Sequence, residues 1–331
     1  MILSGEASKP APNGTKWNQS NITSGNFYII YNANGIWVAC SSSNKSIKNG
    51  EGLYYSTDGK IWSQSNITDG SFYAIYNANG IWVAGSKSNG LYYSTDGKTW
   101  IQSNITDISF NTVYYANGIW VAGSKNNGLY YSTDGKSWAQ SNIITGGFQS
   151  IYNANGIWVA GSYGSKGLYY STDGKTWTQS NITNKNICVV YNAFGVWVAG
   201  SDFNGLYYSE DGKTWTQSNI TDISFNAVYY ANGIWVATCA SSYGLYYSED
   251  GQGWVKSNIT SGYFNGVYNA NGIWVVCGDG NGLYYSTDGK TWTQSNIMHE
   301  YFKCVYNANG VWVAGSVSSK GLYYSESYIP S

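Results

Sequence analysis

The sequence predicts an all-β fold made of eight repeated units, and three observations support this prediction. A segment of about 38 residues recurs along the 331-residue chain, and each copy contributes two of the 16 tryptophans. Each copy contains four short runs of β-branched and aromatic residues separated by glycine-containing turns. The last copy lacks its fourth run, and an isolated fourth run stands near the N-terminus. Together they predict a closed ring of four-stranded antiparallel blades, an eight-bladed β-propeller.

The third unit illustrates how the four strands of one blade are predicted. Segments 110–115, 119–124, 129–132 and 138–142 are rich in aromatic and β-branched residues, and we predict them to be strands A, B, C and D. Asn117-Gly118 lies between A and B and Asp134-Gly135 between C and D, and both dipeptides favour tight hairpin turns. No segment has apolar residues at helical spacing, which excludes a helical repeat.

The two ends of the chain predict how the ring closes. The last unit stops after its strand C at 321–325, whereas 16–20 is a strand D with no other strand before it. We therefore expect the N-terminal strand to complete the eighth blade, which would protect two sheet edges from pairing with other chains. The prediction is a single domain over 1–331, with an N-terminal arm at 1–15, repeats from about 16 to 325 and a C-terminal tail at 326–331.

Composition restricts the classes of function. The formal net charge is −1 and all 17 basic residues are lysines, so we expect no nucleic-acid partner. The N-terminus lacks the apolar core of a signal peptide, and no apolar run is long enough to span a bilayer, so we expect no membrane insertion. The sequence leaves the compartment open. Five cysteines, an odd number, argue for free thiols, with a pair across neighbouring blades as the alternative.

A seven-residue segment, S-T-D-G-K-T-W at 94–100, recurs with small changes in seven units. It resembles the Asp-box (BNR repeat) of sialidase-like β-propellers, in a variant in which glycine follows the aspartate directly. The resemblance implies a structural turn between strands C and D, in which the carboxylate accepts backbone N–H groups and the tryptophan packs into the blade. Aspartate favours turns for the same reason. We therefore predict structural roles for Asp58, Asp96, Asp134, Asp173, Asp211, Asp250 and Asp288.

The sequence argues against an enzyme. The resemblance implies that sialidase activity would need three arginines, and this chain has none; lysine does not provide the planar bidentate fork of arginine. Other glycosidases need two carboxylates at a set separation, and the acids outside the boxes are scattered over different units. His299 is the only histidine, and no metal-binding or phosphate-binding motif is present. We predict no catalytic residue, no metal and no cofactor.

The units differ from one another mainly in two connections. The D-to-A and B-to-C connections vary, and in an antiparallel blade both lie on the same face, opposite the constant Asn-Gly and Asp-Gly turns. Loops on a rigid scaffold usually carry function, so this face is the predicted binding face. The first unit has the longest B-to-C loop, at 41–51. The candidate loop residues are Tyr163, Asp202, Phe203, Tyr243, His299 and Glu300.

One position in strand A also varies, directly after the Phe or Ile that opens the strand. We expect these side chains to form a ring around the mouth of the central channel on the variable face, and we predict that they bind the ligand. Neutral drift of solvated positions is the alternative. The position is occupied by Tyr28, Tyr73, Asn111, Gln149, Cys188, Asn226, Asn265 and Lys303.

These patterns predict a non-enzymatic binding protein. The first hypothesis is lectin-like, multivalent carbohydrate binding, because eight near-equal clefts rich in Tyr, Trp, Asn and Ser suit sugars and avidity. The alternative is a protein-interaction scaffold that uses the variable face, and a distant third is a glycoside hydrolase. The expected partner is a glycan or a protein, and we expect a monomer. Six Asn-Ile-Thr sequons occur, and we interpret them as copies of the repeat rather than glycosylation sites.

Overall fold

The computed structural model describes residues 13–42 and 51–326, and within these ranges the chain forms thirty-two β-strands and no helix. The strands form eight sheets of four, and paired strands are antiparallel. The predicted eight-bladed β-propeller is confirmed. The predicted N-terminal arm, the long B-to-C loop of the first unit and the C-terminal tail lie largely outside the described residues.

The strands are numbered in chain order. They are β1 (Asn18–Gln19), β2 (Asn26–Ala33), β3 (Ile36–Ser42), β4 (Leu53–Ser56), β5 (Ser63–Gln64), β6 (Phe72–Ala78), β7 (Ile81–Ser86), β8 (Leu91–Ser94), β9 (Ile101–Gln102), β10 (Phe110–Ala116), β11 (Ile119–Ser124), β12 (Leu129–Ser132), β13 (Ala139–Gln140), β14 (Gly147–Ala154), β15 (Ile157–Tyr163), β16 (Leu168–Ser171), β17 (Thr178–Gln179), β18 (Ile187–Ala193), β19 (Val196–Ser201), β20 (Leu206–Ser209), β21 (Thr216–Gln217), β22 (Phe225–Ala231), β23 (Ile234–Cys239), β24 (Leu245–Ser248), β25 (Val255–Lys256), β26 (Tyr263–Ala270), β27 (Ile273–Asp279), β28 (Gly282–Ser286), β29 (Thr293–Gln294), β30 (Phe302–Ala308), β31 (Val311–Ser316) and β32 (Leu322–Glu326).

Seven blades consist of four consecutive strands, and the eighth joins both ends of the chain. Strand A of each blade contacts strand A of both neighbouring blades, so the eight A strands surround the central channel. Blade I is β2–β5, blade II is β6–β9, blade III is β10–β13, blade IV is β14–β17, blade V is β18–β21, blade VI is β22–β25, blade VII is β26–β29, and blade VIII is β30–β32 with β1.

Strands β1 and β32 close the ring by pairing the two ends of the chain. Asn18 lies opposite Tyr324 in an antiparallel register. Ser20 extends the pairing by donating its N–H to the Leu322 carbonyl at 2.9 Å. Trp17, which precedes β1, is buried in the core of the blade junction. The N-terminal strand therefore completes the eighth blade, as predicted.

Strand D is shorter than predicted. In blade III it covers Ala139–Gln140 rather than 138–142. After it, the Ser141 hydroxyl accepts the Ile143 N–H at 3.0 Å, which turns the chain away from a regular strand. The Ile143 carbonyl then accepts the Leu129 N–H at 2.9 Å, so the backbone of strand C still finds a partner.

The hydrophobic core lies between blades. One cluster joins Val83 and Leu91 of blade II to Phe110 and Trp120 of blade III. All 16 tryptophans are at most 5 % exposed. Truncating such a ring costs about 3–5 kcal/mol, and each blade interface depends on side chains from both blades.

The glycine of the V-A-G-S segment lets neighbouring blades approach closely. A Cβ atom on Gly123 would lie 2.8 Å from the Cβ of Phe148 in the next blade. Cys40 and Cys277 take this position in blades I and VII and are fully buried. Cys277 has room because Gly266 lies opposite it on strand A. All five cysteines are free thiols, as the odd count predicts.

An asparagine from each blade holds the backbone of the next blade. In the S-N-I-T segment, Asn181 Nδ2 donates to the Trp215 carbonyl at 2.9 Å, and Asn181 Oδ1 accepts the Trp215 N–H at 2.8 Å. We call this pair of bonds the asparagine clasp. It occurs at all eight blade junctions: Asn21 with Trp62, Asn66 with Trp100, Asn104 with Trp138, Asn142 with Trp177, Asn181 with Trp215, Asn219 with Trp254, Asn258 with Trp292 and Asn296 with Trp17.

The clasp gives the sequon asparagines a structural role. Asn142 is followed by Ile-Ile and Asn296 by Ile-Met, so neither begins a sequon, yet both form the clasp. The amide edge that would carry a glycan contacts the backbone of the next blade. The recurrence of Asn-Ile-Thr therefore follows from blade packing, which supports the interpretation of the sequons as copies of the repeat.

We expect Asn181→Ala to lower the free energy of unfolding by about 1–2 kcal/mol, because a backbone N–H and a carbonyl lose their partners. Thr183→Ala is the matched control, since it removes the same sequon, leaves the amide in place and changes an exposed residue. Chemical denaturation of both variants measures the difference. Equal stability of the two would contradict a structural clasp.

A serine and an aspartate hold the turn between strands C and D. In blade III, the Ser132 hydroxyl donates to the Asp134 carboxylate at 2.9 Å and accepts the Gly135 N–H at 2.9 Å. The same carboxylate oxygen accepts the N–H groups of Lys136 and Ser137, both at 2.8 Å. The arrangement recurs around Asp58, Asp96, Asp134, Asp173, Asp211, Asp250 and Asp288.

These hydrogen bonds lower the pKa of the box carboxyls. Desolvation by burial, the largest single effect, would raise the pKa of Asp134, but two backbone N–H groups and the serine hydroxyl together outweigh it. The folded pKa therefore lies below the ordinary value of 3.8. A depressed folded pKa contributes stability above the unfolded pKa, and this contribution is lost as the pH falls through the folded pKa.

We expect the protein to lose stability below about pH 4, where the box carboxylates begin to take up protons. Asp134→Asn should lower the free energy of unfolding at neutral pH by about 1 kcal/mol and should weaken its dependence on acidic pH. Asp107→Asn is the control, because Asp107 is exposed and lies outside the boxes. The backbone of Asp107 has a φ of 59°. Denaturation curves across the acidic range test this; identical pH profiles for Asp134→Asn and wild type would refute it.

Candidate binding site at the channel mouth

The variable connections lie together on one face of the ring. The B-to-C loop of blade II bonds to the following D-to-A connection, where the Gly90 N–H donates to the Ile108 carbonyl at 2.9 Å. Gly128 and Gly146 make the equivalent bond one blade further on, also at 2.9 Å. The turns between strands A and B lie at the other end of each blade. The variable face is the face that carries the B-to-C and D-to-A connections.

Each variable position in strand A is a β-bulge. In blade III, Phe110 lies opposite Ser124 and Thr112 lies opposite Gly123, so Asn111 has no cross-strand partner. The same shift occurs at the corresponding residue of all eight blades. Because a bulge re-aims one side chain and leaves the flanking pairs intact, it frees these eight residues from the regular alternation of the strand.

The sequence carries a signal for the bulge that the strand prediction above does not use. Phe110 and Val113, both buried, are three residues apart, whereas a regular strand buries every second residue. The same spacing of large apolar residues recurs in strand A of every blade. A break in the alternation of buried and exposed residues, at the same position of each strand A, therefore marks the bulge residue.

A cavity of about 500 Å³ lies at the channel mouth on the variable face. We call it the mouth pocket. Its lining comes from five blades and combines five bulge residues with two loop residues: Tyr73, Asn111, Gln149, Cys188 and Lys303 from the bulges, and Lys125 and Tyr163 from the B-to-C loops. Lys125 is the one lining residue that the sequence did not identify as a candidate, because its loop is short and resembles those of other units.

Three of the predicted ring residues lie outside the lining of the mouth pocket. Tyr28 packs edge-on against Tyr73, with the ring centroids 5.2 Å apart. Asn226 and Asn265 each donate to a backbone carbonyl of the next blade, at 3.0 and 2.8 Å. Their amides therefore hold a blade junction, although the same position in other blades lines the pocket.

Lys303 is held through an amide rather than a carboxylate. Its Nζ donates to Asn265 Oδ1 at 2.9 Å, and Asn265 Nδ2 donates to the Asp279 carboxylate at 2.7 Å. The amide separates the lysine from the acid. Among the described residues, neither Lys303 nor Lys125 takes part in a salt bridge.

The environment of Cys188 makes its thiol a poor nucleophile. Burial raises the pKa of Cys188 from its ordinary value of 9.0 to about 11. The Asp202 carboxylate acts in the same direction, and Lys303 acts against it. The thiol is therefore protonated at neutral pH and contributes shape rather than reactivity to the pocket.

Asp202, Phe203 and Tyr243 lie outside the lining of the mouth pocket. The Asp202 carboxylate accepts the Ser224 hydroxyl at 2.7 Å, which fixes the B-to-C loop of blade V. Phe203 follows it and is 69 % exposed. Tyr243, in the loop of blade VI, is also exposed, with Lys256 Nζ 5.7 Å from its ring centroid. These residues can contact a partner only around the pocket.

His299 and Glu300 lie on the D-to-A connection that precedes blade VIII, also outside the pocket lining. His299 is exposed and has a φ of 62°. The Glu300 carboxylate accepts the Ser318 hydroxyl at 3.1 Å, and its backbone carbonyl accepts the Gly282 N–H at 3.0 Å. Glu300 therefore joins neighbouring connections of the variable face.

Eight tyrosines surround the channel three residues further along strand A. Neighbouring ring centroids are 4.7–5.3 Å apart, and the series returns to its starting point. Burial raises the pKa of Tyr31, Tyr114 and Tyr229, so their phenols stay neutral. The ring, which gives the channel a rigid aromatic wall beyond the mouth pocket, consists of Tyr31, Tyr76, Tyr114, Tyr152, Tyr191, Tyr229, Tyr268 and Tyr306.

The mouth pocket is chemically suited to binding. Its lining offers ammonium, amide and phenol groups, and it contains neither a carboxylate pair nor an activated nucleophile. In the part of the chain that the structure describes, no group of three His, Cys, Asp or Glu side chains is placed to hold a metal ion. The same residues include no helix that could span a membrane.

Comparison with known proteins identifies the fold. No family model and no curated protein sequence matches the chain. The computationally designed protein Ika8 is 10 % identical with a TM-score of 0.74, covering 96 % of this chain and 100 % of its own. YCF48 bound to a D1 peptide is 15 % identical with a TM-score of 0.59 and coverage of 97 % and 100 %. Sqt1 of Saccharomyces cerevisiae is 12 % identical with a TM-score of 0.65 and coverage of 96 % and 99 %. At these identities the similarity establishes the fold alone.

We expect the thiols of the native protein to react slowly with Ellman's reagent at neutral pH and all five to react after denaturation. For Cys188, a pKa of about 11 instead of 9.0 lowers the thiolate fraction about 100-fold. Its reaction should accelerate as the pH rises, and Cys188→Ser should remove that phase. Rapid labelling of Cys188 at neutral pH would contradict the protonated thiol.

Proposed function

We propose that the protein is a non-enzymatic binding protein that holds a segment of another protein at the mouth pocket. The asymmetry of the pocket carries the proposal. Although the blades are nearly identical, the seven residues that line the mouth pocket include phenol, amide, thiol and ammonium side chains. One asymmetric site suits one partner in one orientation, whereas repeated equivalent sites would suit a repeated ligand.

Exposed aromatic side chains on the variable face support a protein partner. Phe203, Tyr243, Tyr263 and Tyr301 are 46–69 % exposed. Aromatic residues are enriched at protein interfaces and dominate their binding energy, because they bury a large area with few rotatable bonds. A segment seated in the mouth pocket could therefore extend over aromatic side chains in the surrounding connections.

Multivalent carbohydrate binding, the first hypothesis from the sequence, has less support. It relied on eight near-equal clefts rich in aromatic and amide groups. The tryptophans are buried, however, and the S-N-I-T asparagines hold the next blade through the clasp. These recurring groups serve blade packing, which leaves few of them free for sugars. Lectin-like binding stays a prediction, and two equivalent cavities beside the boxes of Asp211 and Asp250 are the places where it could be sought.

The comparisons support a protein partner at the level of fold. YCF48, which resembles this chain in fold, was solved with a D1 peptide bound. We also propose that the chain is a variant of the Asp-box propellers, because its seven serine–aspartate turns have the bonding that the resemblance implies. We propose a monomer because the outermost strand of each blade, strand D, is only two residues long. A strand this short offers little edge for pairing with another chain.

Selection from a phage-displayed library of random linear peptides, followed by calorimetry with the selected peptides, tests the proposal. We expect one site per chain. Gln149→Arg, which introduces a larger charged side chain into the mouth pocket, should weaken binding at least tenfold, about 1.4 kcal/mol.

Gln252→Arg is the matched control, because it makes the same change in a turn between strands C and D, where the side-chain amide makes no hydrogen bond to a described residue. Equal effects of the two substitutions, or failure to select any peptide, would rule out a peptide site at the mouth pocket. A glycan array that yields several equivalent sites per chain would favour the lectin hypothesis instead.

A further inference from the structure

The mouth pocket contains two positive charges and no negative one. Lys125 and Lys303 both line it, and no aspartate or glutamate does. Among the described residues, the salt bridges involve other lysines. Lys125 is exposed and Lys303 is half-buried, so both ammonium groups are available to an anionic group that enters the cavity.

Two acids that interact with ring residues, Asp279 and Asp202, have hydrogen-bond partners of their own. The Asp279 carboxylate accepts an N–H of Asn265 at 2.7 Å, and that amide stands between Asp279 and Lys303. The Asp202 carboxylate accepts the Ser224 hydroxyl at 2.7 Å. Both acids therefore help to fix the rim of the pocket, and neither pairs directly with a pocket lysine.

Neutral donors accompany the two lysines. The Gln149 amide, the Tyr163 hydroxyl and the Lys125 ammonium line the pocket and make no hydrogen bond to any residue that the structure describes. Lys303, by contrast, is held in place by Asn265 at 2.9 Å. The pocket thus presents one positioned ammonium group together with several donors that have no protein acceptor.

Other lysines of the chain make cation–π contacts that the pocket lysines lack. In the turns between strands C and D, Lys98 lies over the ring of Tyr55 at 5.6 Å and Lys136 over that of Tyr93 at 5.7 Å. Such cation–π contacts join neighbouring blades. Lys125 and Lys303 make no cation–π contact among the described residues, and Lys303 contacts the neighbouring blade through its hydrogen bond to Asn265.

We infer that the mouth pocket binds a carboxylate of the partner protein, supplied either by an Asp or Glu side chain or by a C-terminus. The inference rests on the proposed function and names the group that the pocket recognises. A carboxylate would compensate both lysines and accept hydrogen bonds from Gln149 and Tyr163 in the same cavity. The exposed aromatic residues around the pocket favour a peptide over an acidic glycan as the source.

Three pools of hexapeptides test the inference by fluorescence anisotropy; they carry an uncharged dye on a blocked N-terminus, and their random positions exclude Asp and Glu. The first has one fixed Glu and an amidated C-terminus; the second has Gln in place of that Glu; the third has the Gln and a free C-terminal carboxylate. We expect the first or the third pool to bind at least tenfold more tightly than the second, about 1.4 kcal/mol. Which of the two binds identifies the source of the carboxylate.

Lys303→Gln and Lys125→Gln should each remove most of this preference, and Lys303→Arg should preserve it. Lys136→Gln is the matched control, because it removes the same charge from a turn between strands C and D. Thermal unfolding of every variant shows whether the fold is intact. Added salt should reduce the preference, since the attraction between charges is screened.

The outcomes separate this inference from the proposed function. If all three pools bind equally and Gln149→Arg abolishes binding, the peptide site stands and the carboxylate inference is overturned. If no pool binds, both are overturned. Binding of fully de-esterified oligogalacturonate without binding of any peptide pool would also overturn both, and would assign the lysines to an acidic glycan.

Discussion

The structure depends on one constraint, the fit of each blade against the next around a closed ring. Every junction uses the same groups: buried tryptophans from both blades, a glycine or other small residue where strands approach, and the asparagine clasp. Because eight junctions must add up to one full turn, a change in the geometry of one junction would strain the others. The N-terminal segment that completes blade VIII obeys the same rule, because Asn296 of blade VII holds Trp17.

That constraint explains which positions vary between the units. Residues that form the junctions, including the clasp asparagine of each D-to-A connection, are nearly identical in all blades, whereas the bulge residue and the remaining variable residues of the connections differ between blades. Asn226 and Asn265 show that a bulge residue can still be used for packing, since their amides bond to the next blade. Gln149 and Lys303 make no side-chain bond to the backbone of the next blade, and both line the mouth pocket. Function can therefore diverge at the mouth while the scaffold stays unchanged.

The distribution of charge follows the same division. The chain contains few charged residues and no arginine, and five box lysines lie 5.5–5.9 Å from tyrosine rings of the preceding blade. The box aspartates are likewise engaged by the turn backbone, which lowers the pKa of their carboxyls. Lys125 and Lys303 have neither a salt bridge nor a cation–π contact among the described residues, and they are the two charged side chains that line the mouth pocket.

The sequence by itself determined the number of blades, their four-strand composition and the closure of the ring, because these follow from the spacing of tryptophans and from a missing and an isolated strand. It also located the variable position of strand A. It did not predict the bulge at that position or the early end of strand D, where the chain turns away at Ser141. Only the tertiary structure decided that Tyr73, Gln149 and Lys303 meet in one cavity, that Lys125 joins them, and that Asn265 faces the next blade. The reason is physical: repeat spacing encodes local pairing, whereas the direction of a bulged side chain depends on the space and the acceptors that a neighbouring blade provides.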